Sequence, residues 1–203
     1  TIIAAALLGA LLNASALAQP AGGSPFGSMV GNANTAGDWL RCMNEERRYS
    51  LEVAIESCER LLAEHRGYSV DGAVYWHIAM RYQDAEQFDR ANENLNLAAE
   101  SFAELIRREP REYVGYSNRA SVLARLGRYD EALADYDRAA VLDSHAASPW
   151  LGRGNLLFRR GDYEGASAAY DRAARIGAYM GGTNASYHAA RCAVRAASRT
   201  DLE

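Results

Sequence analysis

A chain that repeats itself every 34 residues must fold as a stack of like units, because each unit presents the same surfaces to the next. Residues 113–146 read YVGYSNRASVLARLGRYDEALADYDRAAVLDSHA, and residues 147–180 read ASPWLGRGNLLFRRGDYEGASAAYDRAARIGAYM. At this offset twelve positions are identical, among them Arg119/Arg153, Leu123/Leu157, Arg125/Arg159, Gly127/Gly161, Tyr129/Tyr163, Ala132/Ala166, Tyr136/Tyr170 and Asp137/Asp171. Tyr116, Ala120, Leu123 and Leu126 recur at steps of three and four, which marks one face of a helix. Gly127 then stops that helix where a left-handed residue is needed. Asp130 and Glu131 fall in the first turn of the next helix, where its dipole favours negative charge. Ala132, Tyr136 and Ala139 line the inner face of this second helix, and the small residues let the pair approach closely. One such hairpin cannot bury its own apolar stripe, so stacking is obligatory.

A large aromatic followed by Gly or Ala, Leu, a turn Gly, Tyr, Ala, an aromatic and Ala, spread over 34 residues, resembles the tetratricopeptide repeat family. The resemblance is close over 113–180 and looser on both sides. It implies an all-α fold, an α-solenoid of antiparallel helix pairs wound into a right-handed superhelix. Upstream, Trp76, Met80 and Gln83 begin a first helix and Ala98, Phe102 and Leu105 build a second, with Pro110 closing the repeat. About six extra residues around DAEQFDR lengthen this hairpin or its turn. Further upstream, Trp39, Cys42 and Met43 precede LEVAIESCERLL (51–62), which reads as a divergent first hairpin; NASYHAARCAVRAASR (184–199) reads as a last first-helix. The expected hairpins are thus about 36–67, 71–110, 113–146 and 147–180, with a partial one at 184–203.

The first 37 residues carry no charge. Residues 2–18, IIAAALLGALLNASALA, have the apolar run and small-residue ending of a secretory signal, which predicts cleavage after Ala18 and a periplasmic or secreted protein. An uncleaved anchor and an ordinary helix are the alternatives; a span needs roughly 20 apolar residues, and Asn13, Ser15, Gln19 and Pro20 interrupt this one. Residues 19–35 are rich in Gly, Ser, Pro and Asn and are expected to form a disordered linker, so the repeat domain is placed at 36–203. No stable membrane span is expected once the signal is removed.

Three cysteines in an exported chain invite pairing. Cys42 falls on the first helix of the opening hairpin and Cys58 on the second, on the face of Ala54 and Leu61. Antiparallel helices bring such positions side by side, which predicts a Cys42–Cys58 disulfide; two buried thiols are the alternative. Cys192 sits at the corresponding place in the last hairpin, where a repeated staple would need a further helix beyond Glu203; the other reading makes 184–199 a terminal cap. Cysteine-stapled helical repeats give a weaker resemblance to Sel1-like repeats.

Catalytic signatures are missing. His65, His77, His145 and His188 share no short metal-ligand spacing and are expected at helix ends or on the surface. No nucleophile-elbow, P-loop or zincin motif occurs, and the one long irregular stretch, GAYMGGT (177–183), reads as a linker between repeats. No catalytic residue, metal or cofactor is assigned. With 22 basic and 26 acidic side chains and a formal charge of −4, a nucleic-acid partner is not expected either. The resemblance implies binding instead: first helices line a concave face along which a peptide or partner protein lies. By matching positions that face carries Ser117, Ser121, Arg125, Leu151, Asn155, Phe158 and Arg159. Arg125 and Arg159 form a short cationic row suited to carboxylates, although a helix C-terminus also favours arginine. The chain lacks the paired Lys and Asn set by which some members hold a C-terminal carboxylate. The expected function is a non-enzymatic scaffold or adaptor of the periplasm or envelope. The alternative is the recognition or regulatory segment of a larger exported protein, an enzyme included.

Overall fold

The computed structural model describes residues 33–44, 48–64, 67–177 and Cys192. In chain order the helices are α1 (Ala33–Met43), α2 (Leu51–Ala63), α3 (Tyr68–Asp84), α4 (Phe88–Arg108), α5 (Tyr113–Arg125), α6 (Tyr129–Leu142), α7 (Ala147–Arg160) and α8 (Tyr163–Gly177). Among the described residues there is no strand. The chain is an α-solenoid: α1/α2, α3/α4, α5/α6 and α7/α8 pack as pairs, and each second helix packs on the first helix of the next pair. The array closes up on the side of the first helices, where α1 meets α3 and α5 meets α7. That side is therefore the inner face. No described helix is long and apolar enough to cross a membrane.

Local chemistry sets the breaks. Gly127 and Gly161 both take the left-handed conformation, at φ 77° and 80°, and terminate α5 and α7 at equivalent points of the repeat. Ser50 caps α2, its hydroxyl accepting from the Val53 amide at 3.4 Å. The extra residues of the second hairpin go into its helices: α3 has 17 residues and α4 has 21, against 13 and 14 in α5 and α6. Its turn, 85–87, stays short. Helix α1 starts at Ala33, three residues inside the stretch expected to be linker; residues 1–32, and with them the signal-peptide reading, lie outside the described residues. So does the hairpin expected at 184–203, apart from Cys192, which is helical and buried.

The core is a series of junctions. Trp39, Cys42, Leu61 and Ile78 join the first pair to α3; Leu95, Phe102 and Leu105 meet Val122 of α5; Leu123, Ala132 and Tyr136 meet Leu156 of α7; and Leu157, Ala166 and Tyr170 meet Cys192. Each of the first three clusters reaches into the following hairpin, as a unit too small to enclose its own core requires.

The opening hairpin, divergent in sequence, is heavily cross-linked. Cys42 and Cys58 are bonded, with Cα atoms 4.8 Å apart and both residues inaccessible to solvent. Asp38 accepts from Arg60 Nη2 at 2.7 Å across the pair. Asn44, left-handed at φ 43°, donates its amide to Tyr49 O at 2.9 Å and accepts from Tyr49 N at 3.0 Å, tying the end of α1 to the approach to α2. Arg81 of α3 donates to Asn44 O at 2.8 Å and ties the hairpin to the next one.

His77 is a correction to the sequence reading. It lies within α3, 9% exposed, with its ring edge-on to Trp39 at 5.8 Å, because α1 packs directly against α3. Burial first, and the charge of Arg81 second, lower its pKa to about 4.

Candidate functional site

Three first helices, α3, α5 and α7, build the inner face. Near the C-terminal end of α5, Arg125 reaches back to α3: its guanidinium stands over the Trp76 ring at 5.1 Å and its Nη1 donates to Gln83 Oε1 at 3.0 Å. Arg125 is exposed to solvent, yet enough protein surrounds its head group to hold its pKa below the ordinary arginine value. Burial is the first cause and the Arg159 charge the second, with Asp84 opposing them. The matched arginines of α5 and α7 thus sit in one another's field. Neither has a carboxylate within ion-pair distance among the described residues. Asp84 is turned to Arg81, 3.4 Å away.

One turn before Arg125, α5 meets a hydroxyl of α6. Ser121 Oγ is 3.0 Å from the Tyr136 hydroxyl and also donates to Ser117 O at 3.1 Å. Burial raises the Tyr136 pKa; the bond to Ser121 and then the Arg159 charge work against it. Further along, Tyr170 donates to Asn155 Oδ1 at 2.7 Å, and Phe158 is edge-on to Tyr163 at 5.4 Å. On the same helix Leu151 and Phe158 are half-buried and Arg159 is exposed.

Of the seven positions carried over to a groove, six remain accessible: Ser121, Arg125, Leu151, Asn155, Phe158 and Arg159. Ser117 does not. It is 6% exposed, on the packed side of α5 with the buried Gly115, Asn118 and Ala120. Sequence reasoning also missed three participants. Trp76 and Gln83 read as helix positions of an upstream repeat, and Tyr136 as a gap filler between repeats. Tyr136 was legible in part, since only its ring is needed for packing and phenylalanine would serve as well.

A second cleft, about 410 Å³, opens between α4, α5 and α6. Its floor is the two-fold pair of Arg119 with Asp135, at 2.7 and 2.8 Å. Arg128 and Glu131 pair at its rim in the same way, at 2.7 and 2.6 Å, so these charges are satisfied within the protein. Among the described residues no cluster of His, Cys, Asp or Glu converges closely enough to hold a metal ion.

Comparison with known proteins places this architecture. Over 114 residues, 56% of the chain, it is 30% identical to the E3 ubiquitin-protein ligase TTC3 of Rattus norvegicus, and it spans only 6% of that protein's length. Among solved structures, it is similar to the TPR2B domain of yeast Sti1 in its pHsp70 complex, at 22% identity over 61% of this chain and 97% of that one, with a TM-score of 0.48. It is similar also to a thermophilic TPR protein, TTC0263, from Thermus thermophilus, at 20% identity over 83% of this chain and 94% of that one, again with a TM-score of 0.48. The tetratricopeptide repeat model matches residues 77–149 and 117–181. Together those two matches run over just more than half of the chain, from His77 in α3 through α8, and on that ground the chain belongs to the tetratricopeptide repeat family.

Proposed function

We propose that this protein is a non-enzymatic adaptor that binds a peptide or partner protein along the inner face of its repeats, through an acidic segment of that partner. The observation that carries the reading is the pair Arg125 and Arg159: two guanidiniums in register on the inner face with no ion-pair partner among the described residues, one partly desolvated, on an α7 that also carries the apolar Leu151 and Phe158. An unneutralised, desolvated charge is costly unless a partner supplies its counter-charge. Guanidinium forks favour carboxylates by geometry as well as by charge, so a partner with Asp or Glu side chains gains both.

The setting we propose is the periplasm or the cell exterior. Two observations support it: the signal-like residues 2–18 and the Cys42–Cys58 bond, which persists in oxidising compartments. A second reading, in which this array is the recognition segment of a larger exported protein, draws support from the long relative of which the chain spans 6%.

The test is capture by cross-linking from periplasmic extract, comparing wild type, Arg125→Glu/Arg159→Glu, and a control Arg107→Glu/Arg108→Glu at the end of α4. The inner-face pair is expected to lose its partners and the control to keep them. Identical capture by all three refutes the assignment.

A further inference from the structure

Arg125 and Arg159 occupy the same place in successive repeats, on helices that touch. Like charges brought together by a fold repel unless something of opposite sign offsets them. Asp84 offsets part of the repulsion at Arg125, but it is turned to Arg81, and among the described residues no carboxylate forms an ion pair with Arg125 or Arg159. The groups in direct contact with the Arg125 guanidinium are neutral: the Trp76 ring under its plane and the Gln83 side-chain carbonyl on one of its five N–H donors. They fix the guanidinium in place and leave its charge and its remaining donors unused. The Tyr136 hydroxyl lies in the field of Arg159, but its proton goes to Ser121, whose own proton goes to Ser117 O. The donors left for a ligand are therefore those of the guanidiniums. A single carboxylate entering here cancels one charge and leaves the other; a group of two negative charges cancels both and has the oxygens to engage both guanidiniums.

A position near a helix C-terminus also favours arginine through the dipole, and both residues lie in last turns. The dipole, however, asks only for a cation. It explains neither the stacking on Trp76 nor the bond to Gln83, which a planar fork makes together, face to the ring and edge to the amide.

We propose that Arg125 and Arg159 form one subsite for a doubly negative group carried by a peptide, either a phosphorylated side chain or two adjacent acidic side chains, and that Trp76 and Gln83 are positioning residues which hold Arg125 in it. This rests on the inner face being the binding face.

The experiment measures binding of the full chain to short, C-terminally amidated, fluorescein-labelled peptide pools with identical degenerate flanks and different centres: Ala-Ala, Asp-Ala, Asp-Asp and phosphoserine-Ala. Fluorescence anisotropy at low salt reads the affinity. The Asp-Asp or phosphoserine pool is expected to bind about tenfold more tightly than Asp-Ala, of the order that a charge-assisted bidentate contact supplies. Whichever of the two leads identifies the source, paired carboxylates or phosphate. Trp76→Leu and Gln83→Met are expected to shrink that gap to about threefold, Trp76→Phe to restore it, and Arg125→Lys to lose it although the charge is kept. Thermal melts of the variants separate these effects from loss of folding. Equal binding of Asp-Ala and both doubly charged pools, all abolished by Arg125→Glu/Arg159→Glu, overturns the two-charge subsite and leaves the inner-face reading standing. A gap that survives Trp76→Leu overturns the positioning role. If no pool responds to the double charge reversal, both readings fall.

Discussion

Gly152 offers a test in which two physical effects predict opposite signs. In the middle of α7, away from its ends, a glycine costs about 1 kcal/mol relative to alanine, so Gly152→Ala should stabilise the helix on propensity alone. The structure opposes this. A β-carbon at 152 would stand 2.6 Å from the Tyr136 hydroxyl and closer still to its ring. The ring is 4% exposed and its hydroxyl is 3.0 Å from Ser121, so it cannot swing aside without breaking a bond at the inner face. Overpacking of a filled core costs about 1–3 kcal/mol, and here the loss of the hydroxyl pair adds roughly 1 kcal/mol. The net expectation is destabilisation by about 2 kcal/mol, which for a domain of this size lowers Tm by roughly 4–8 °C. Circular dichroism melts of Gly152→Ala, Tyr136→Leu and the double variant check it. The double variant should be less damaged than the two single losses summed, since the smaller side chain removes the clash. A Gly152→Ala protein as stable as wild type, or more so, refutes the reasoning.

His77 should make the N-terminal junction sensitive to acid. Its folded pKa of about 4 lies below the ordinary 6.5, so the unfolded chain takes up the proton first. The contribution is present above pH 6.5 and is lost as pH falls toward 4, by about 3 kcal/mol in all. Denaturant unfolding of His77→Leu should show a correspondingly shallower fall between those pH values than wild type. Asn118 is 1% exposed and neither polar atom of its amide is hydrogen-bonded; Asn118→Leu, of similar volume, should gain about 1–2 kcal/mol, read as a raised melting temperature. Removing the staple with Cys42→Ala/Cys58→Ala should cost roughly 3 kcal/mol, the value expected for a loop of this length. Hydrogen exchange should place that loss in α1 and α2, leaving α5 to α8 protected.

The repeat itself was fully legible in the sequence, because it is written in features that act within a few residues. Gly127 and Gly161 mark turns by their own backbone freedom, and the alternation of Ala with aromatic positions marks the packed faces. The facing of Cys42 toward Cys58 follows from helix periodicity in the same way. What stayed hidden depends on neighbours. Ser117 reads as a groove residue from its place in the repeat, but it lies on the packed side of α5 with Asn118 and Ala120. His77 reads as a surface histidine, but α1 packs on α3 and sets Trp39 against it. No pattern within one repeat records what the next one lays against it.

The matched arginines Arg119 and Arg153 show what such identity does and does not determine. Each has two neighbours to which it can turn, one on the second helix of its own hairpin and one on that of the hairpin before. For Arg119 these positions hold Asp135 and Ala103; for Arg153 they hold Ala169 and Asp137. Arg119 therefore pairs forward, at 2.7 Å from Asp135, and Arg153 pairs backward, at 2.9 Å from Asp137. The two identical residues satisfy their charge in opposite directions, and the small Ala103 leaves the cleft between α4 and α6 open. The inner face follows the same principle. Arg125 stacks on Trp76 of the preceding repeat; counted from the matching contacts of Gly72 with Phe102 and Gly154 with Tyr170, the position of Trp76 one repeat on holds Ala124, which has no ring to offer Arg159. Identity between repeats builds the scaffold; the local character of a site comes from the positions where neighbouring repeats differ.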